Sequence, residues 1–138
     1  MIIAVDFDGT IVEHKYPELG DEIPFAIETL KLLQKEGHQL ILWTYRSGKE
    51  LDEAVEYCRN LGLEFYAINK SYPEEIFDNS LSRKINADIF IDDRNIGGLK
   101  DWGKIYMQIV GVDERTYMSK IDDRKEGIVT RLRNYFSW

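Results

Sequence analysis

Residues 1–13 read MIIAVDFDGTIVE. An apolar, β-branched run, Ile2 to Val5, ends in two carboxylates, Asp6 and Asp8, followed at once by Gly9 and Thr10. So short and continuous an apolar run reads as a strand buried on both faces, as strands of parallel sheets are. The question is why such a strand should stop in a pair of negative charges.

Working outward, strand-like and helix-like segments alternate. A polar, turn-rich stretch, HKYPELGDEI (14–23), leads to Pro24 in the place of a first helical residue. Ala26, Ile27, Leu30 and Leu33 then recur at helical spacing, and Gly37 ends the helix. HQLILWT (38–44) is a second strand. Ser47, three residues before Glu50, has capping-box spacing and opens a helix through Leu51, Ala54, Val55, Cys58 and Leu61, with Gly62 beyond its end. EFYAI (64–68) is a third strand, residues 69–83 are irregular or weakly helical, and ADIFID (87–92) is a fourth strand running into Asp92 and Asp93.

Strands alternating with helices of this length predict an α/β fold: a three-layer, Rossmann-like core with a mostly parallel sheet, right-handed crossovers and helices on both faces. DWGKIYMQIV (101–110) fits a helix better than a strand, and Ile128, Val129, Leu132 and Phe136 suggest a closing amphipathic helix. With 138 residues, 43% of them hydrophobic, the chain predicts one domain over 1–138 with a proper core.

Composition weighs against several functions. Eighteen basic against 25 acidic residues give a net charge of −7, which disfavours nucleic acid and anionic membranes as partners. No basic segment leads into an apolar one at the start, and no apolar run nears the roughly 20 residues of a membrane span. The expectation is a soluble, cytoplasmic protein. Cys58 has no second cysteine to pair with and sits on an apolar helix face, where it reads as a small core residue.

The polar groups fall in a pattern. Asp6 and Asp8 end the first strand, Thr44 the second, and Asp92 and Asp93 the fourth, with Lys84 just ahead of it. In an open parallel sheet all C-terminal strand ends lie on one edge, where ligands bind. Four carboxylates gathered there repel one another unless a cation or proton is present, and oxygen-only ligands suit Mg²⁺. A hydroxyl, a lysine and a glycine that lets backbone N–H groups face an anion are what a phosphoryl group needs. Together these residues describe metal-assisted phosphoryl transfer.

DFDGT after an apolar strand, WT closing the second strand, a lysine, and IDD closing a later strand resemble the haloacid dehalogenase (HAD) superfamily of phosphatases, over residues 2–93. WTYRSG and IDDRNIGG are similar to the same motifs in small bacterial hydrolases of that superfamily. The resemblance implies Asp6 as nucleophile and Asp8 as general acid and then base, with its pKa raised by neighbouring carboxylates. That would give an acidic to neutral optimum. It implies Mg²⁺ held by Asp6, the main-chain carbonyl of Asp8 and Asp92, with Asp93 further out. Thr44 and Lys84 would hold the phosphoryl group, and Arg46, beside Thr44, would contact substrate or make a surface ion pair. His14 reads as an exposed loop residue, Asp88 as a turn residue, and Trp102 and Trp138 as packing.

Neither site at which HAD phosphatases carry a cap domain has room for one here, so the resemblance implies a capless enzyme with an open site. Its partner would be a phosphorylated substrate, a small molecule or a macromolecule. The last 40 residues carry no family motif and could serve as a homo-oligomer contact. Rival readings are a non-catalytic phosphate-binding module, a phosphotransferase on the same fold, and a signalling receiver domain. In the last, the adjacent acidic pair closes the first strand and the lysine follows the threonine on the last strand, whereas here Asp92 and Asp93 come late, after Lys84.

Overall fold

A computed structural model describes the backbone over residues 1–136 and the side chains over residues 1–126. The order is β1 (Ile2–Val5), α1 (Ala26–Lys35), β2 (Gln39–Leu42), α2 (Gly48–Asn60), β3 (Ala67–Ile68), β4 (Ile89–Ile91), α3 (Trp102–Val110) and α4 (Glu114–Phe136). The chain is an α/β protein of Rossmann-like type. It divides into two compact units, Met1–Leu99 and Lys100–Trp138.

In the first unit four parallel strands lie in the order β3-β2-β1-β4. Ala4 stands between Ile41 and Phe90, and Val5 between Leu42 and Ile91, so β1 is central and its end is flanked by the ends of β2 and β4. That register brings Asp6, Thr44 and Asp92 to one edge. Ile3, Val5, Leu40 and Leu42 are fully buried, as β-branched and leucine side chains on a covered sheet should be.

The steps β1 to β2 and β2 to β3 run the same way across the sheet. The right-handed crossover rule therefore sets α1 and α2 on one face. On the other face Ile85, from the irregular segment between β3 and β4, is buried with Ala4, Ile41 and Ala67, and Phe90 and Trp43 pack against them. Within this unit an irregular strap, rather than a helix, covers part of the second face. No further domain is inserted among the described residues of Met1–Leu99.

Helix α1 begins two residues later than Pro24 suggests. Phe25 is left-handed (φ 67°), and the first turn is capped from a distance by Glu22, whose Oε1 accepts from Ile27 N–H at 3.0 Å. Ser47 is the N-cap residue of α2, but its hydroxyl makes no capping bond. Cys58 is fully buried, and burial pushes its thiol up to about 12, so it is core. Asp88 closes the opposite edge of the sheet: its Oδ2 accepts from Ile2 N–H at 2.7 Å.

In the second unit, residues 101–110 are helical. Trp102, Tyr106, Tyr117 and Ile121 are buried, and the rings of Tyr106 and Tyr117 lie 5.3 Å apart. Lys120 Nζ donates to the Tyr106 hydroxyl at 3.0 Å. The Ile128, Val129, Leu132 and Phe136 side chains, and Trp138, lie outside the described residues. Among the described residues, no helix is long and apolar enough to cross a membrane.

Candidate active site

Asp6, Asp8, Thr44 and Asp92 line one cleft of about 480 Å³ at the C-terminal edge of the sheet, together with His14, Tyr16, Trp43, Tyr45 and Arg94. Asp6, Asp92 and Asp93 each bring a carboxylate oxygen within 4.8 Å of the others. Asp93 stands just behind the cleft, against the turn made by Gly9 and Thr10.

That turn explains the residues after Asp8. Gly9 has φ 86°, a conformation that side chains disfavour, and a Cβ there would lie 2.3 Å from Asp93 Oδ2. Only glycine lets Asp93 approach. Thr10 is fully buried, and its hydroxyl donates toward Asp6 Oδ2 (3.1 Å) and Asp93 Oδ1 (3.3 Å) while accepting from Asp93 N–H (3.1 Å). One hydroxyl thus ties the end of β1 to the end of β4. Its signal in sequence was DFDGT itself, in which the reading above used the two carboxylates and the glycine and gave Thr10 no role.

Asp6 carries the electrostatic cost of this gathering. Burial, then the charge of Asp92, then a hydrogen bond with Asp93 push its carboxyl up from 3.8 to about 7. The carboxylate set among like charges is therefore Asp6, where the resemblance singled out Asp8. In the unfolded chain Asp6 releases its proton near 3.8, and in the fold only near 7. The stability tied to that proton is thus present at low pH and lost as pH rises through about 7. The metal-free protein is expected to melt a few degrees higher at pH 5.5 than at pH 8, and Mg²⁺ to raise the melting temperature more at pH 8. Differential scanning fluorimetry checks both. Equal Mg²⁺ shifts at the two pH values would refute the account.

Asp8 faces the other way. Both its oxygens accept from Arg46, Oδ2 from Nε and Oδ1 from Nη2, each at 2.8 Å. Arg46 is 1% exposed. Its remaining N–H groups go to main-chain carbonyls: Nη1 to Pro17 (3.0 Å) and Glu50 (3.3 Å), Nη2 to Glu18 (2.6 Å). Its guanidinium lies 5.1 Å from the Phe7 ring centroid and 5.3 Å from that of Tyr16. All five donors are used. Arg46 is neither a substrate contact nor a surface ion pair; it is a buried clamp on Asp8 and on the loop before α1.

Thr44 is positioned from β3. Its N–H donates to Asn69 Oδ1 at 2.8 Å, and its Oγ1 accepts from Arg46 N–H at 3.1 Å. Thr44 Oγ1 keeps its own proton to donate. Asn69 is left-handed (φ 53°), which asparagine tolerates, and no periodicity marks it as part of the site.

Lys84 does not join this group. It is exposed, its ammonium 5.8 Å from the Phe90 ring centroid on the strap side of the sheet. Residues 69–88 are irregular, so proximity to β4 in sequence does not fix where the lysine points. Among the described residues the cation that lines the cleft is Arg94, two positions after Asp92, whose Oδ1 accepts from Arg94 N–H at 2.8 Å.

Fold and site together define a Rossmann-like α/β protein with an acidic cluster at the C-terminal edge of a parallel sheet. A solved structure of a conserved protein from Bacteroides thetaiotaomicron is 67% identical to this chain, covering 80% of it and 90% of the other, with a TM-score of 0.77. The chain belongs to the same family as that conserved protein. No protein-family model matches the chain, and no curated protein does.

Proposed function

We propose that this protein is a Mg²⁺-dependent phosphomonoester hydrolase of the HAD type, acting through an aspartyl-phosphate. The observation that carries the reading is the meeting of Asp6, Asp92 and Asp93 within 4.8 Å, beside a cleft that also holds Asp8 and Thr44. The donors are all oxygen, and Asp6 holds a proton up to about pH 7 where a cation would relieve it. Both features fit a hard divalent ion.

Asp6 and Asp92 would hold the ion, with Asp93 close behind. When bound, the ion would offset the charge between a carboxylate nucleophile and a dianionic ester. Asp6, oriented by Thr10, attacks phosphorus in line, and the bond to the leaving oxygen breaks. Asp8 gives that oxygen a proton, then takes one from the water that attacks the aspartyl-phosphate, releasing inorganic phosphate and Asp6. Arg46 fixes the Asp8 carboxyl plane, and each oxygen keeps a second lone pair at which the proton can sit. The Thr44 hydroxyl donates to a phosphoryl oxygen. Arg94, which lines the cleft, would take the charge-neutralising role implied for Lys84.

The test is hydrolysis of phenyl phosphate and a panel of alkyl phosphates with Mg²⁺ and with EDTA. Turnover should require Mg²⁺ and vanish in EDTA. No turnover of any ester with metal bound, or full turnover in EDTA, would overturn the reading.

A further inference from the structure

Two unlike sets of residues line the cleft: the carboxylates Asp6, Asp8 and Asp92, and the aromatic Tyr16, Trp43 and Tyr45 with His14. Tyr45 is 88% exposed and Tyr16 41%, yet their rings meet edge to face, with centroids 5.8 Å apart at 71°. The Tyr16 ring and the Tyr45 backbone are both held in place. Tyr16 lies over the buried Arg46, and Tyr45 sits between Thr44 and Arg46, the two residues whose backbone Asn69 and Thr44 pin down. Two large rings exposed to water beside a cavity gain apolar contact when a ligand covers them.

From this rim we infer that the cleft takes a small phosphomonoester whose leaving group is a flat aromatic ring, stacked at Tyr45 and Tyr16 while the phosphoryl group meets the acidic cluster. The inference rests on the phosphatase reading and adds the substrate class. A volume of about 480 Å³ suits a small molecule. A sugar of the same size would need a partner for each hydroxyl. Of the lining carboxylates, Asp8 is taken up by Arg46 and Asp6 and Asp92 belong to the acidic cluster, which leaves His14, Arg94 and the two tyrosine hydroxyls as the few partners beyond the phosphoryl group. A flat ring needs only faces, and the rim supplies them.

The test uses phosphonates, whose P–C bond resists hydrolysis, titrated calorimetrically into the full chain with saturating Mg²⁺. Phenylphosphonate should bind on the order of tenfold tighter than methylphosphonate. In Tyr45→Ala the ratio of the two affinities should fall to near one; so exposed a side chain can be removed without unfolding the protein, as a melting curve will verify. Equal binding of the two phosphonates by the native protein would overturn the ring inference and leave the phosphatase reading standing. A ratio unchanged in Tyr45→Ala would overturn the rim assignment. Tighter binding of the phosphonate analogue of glucose 6-phosphate would replace the flat ring with a sugar. Binding of none would sink the phosphatase reading itself.

Discussion

Asp6→Asn is expected to lower Mg²⁺-dependent hydrolysis of phenyl phosphate by on the order of 10⁴-fold, the scale of losing a covalent nucleophile. The substitution is nearly isosteric. The amide oxygen can still accept from Thr10, whose hydroxyl reaches Asp6 Oδ2 at 3.1 Å, so the turn over Gly9 should persist. What changes is chemistry: an amide cannot displace the leaving oxygen at phosphorus. It also removes one charge from the cluster. At pH 8 the metal-free variant should therefore melt higher than the native protein, because the carboxyl that ionises only near pH 7 has gone; at pH 5.5 the two should be closer. That pairing separates loss of catalysis from loss of fold. A variant that keeps a tenth or more of native turnover would mean that another group, Asp92 or Asp93 being nearest, attacks phosphorus.

Much of the fold was legible because a parallel sheet writes itself as short apolar runs. Ile2–Val5 needed no tertiary information, and the carboxylates after it marked the edge where a ligand would sit. EFYAI was legible only in part. β3 is an edge strand, and only Ala67 and Ile68 pair with Ile41 and Leu42. The start of α1 was misplaced because a left-handed Phe25 and a cap from Glu22 are tertiary choices that helical spacing does not encode.

In the site, the strand-end residues Asp6, Asp8, Thr44 and Asp92 were legible because strand register delivers them to one edge. Residues reaching the site by other routes were not. Arg46 finds Asp8 across 38 positions and is buried by Phe7 and Tyr16, so nothing local distinguishes it from a solvated arginine. Asn69 acts through a left-handed backbone at the end of β3. Lys84 was assigned by its distance from β4, and distance along an irregular segment carries no direction.

Arg46→Ala is expected to destabilise the protein by about 3–5 kcal/mol, the range for breaking a buried ion pair by removing one partner. The melting temperature should fall by roughly 10–15 °C. The argument is one of orphaned groups rather than of the pair's own strength. Without the guanidinium the Asp8 carboxylate, whose side chain is 11% exposed, has no cation beside it. The carbonyls of Pro17, Glu18 and Glu50 lose their donors, and the Phe7 and Tyr16 rings lose the group between them. Arg46→Lys should recover only a minor part, since one ammonium cannot replace a planar fork reaching a carboxylate and three carbonyls at once. Adding Asp8→Asn to Arg46→Ala should cost less than the two single losses summed, because the amide removes the charge that the first change strands. Urea unfolding of the native protein, Arg46→Ala, Arg46→Lys, Asp8→Asn and the double variant measures all of this. Strict additivity, or an Arg46→Ala variant within about 1 kcal/mol of the native protein, would place the Asp8–Arg46 pair in solvent and remove the clamp that the proposed chemistry needs for Asp8.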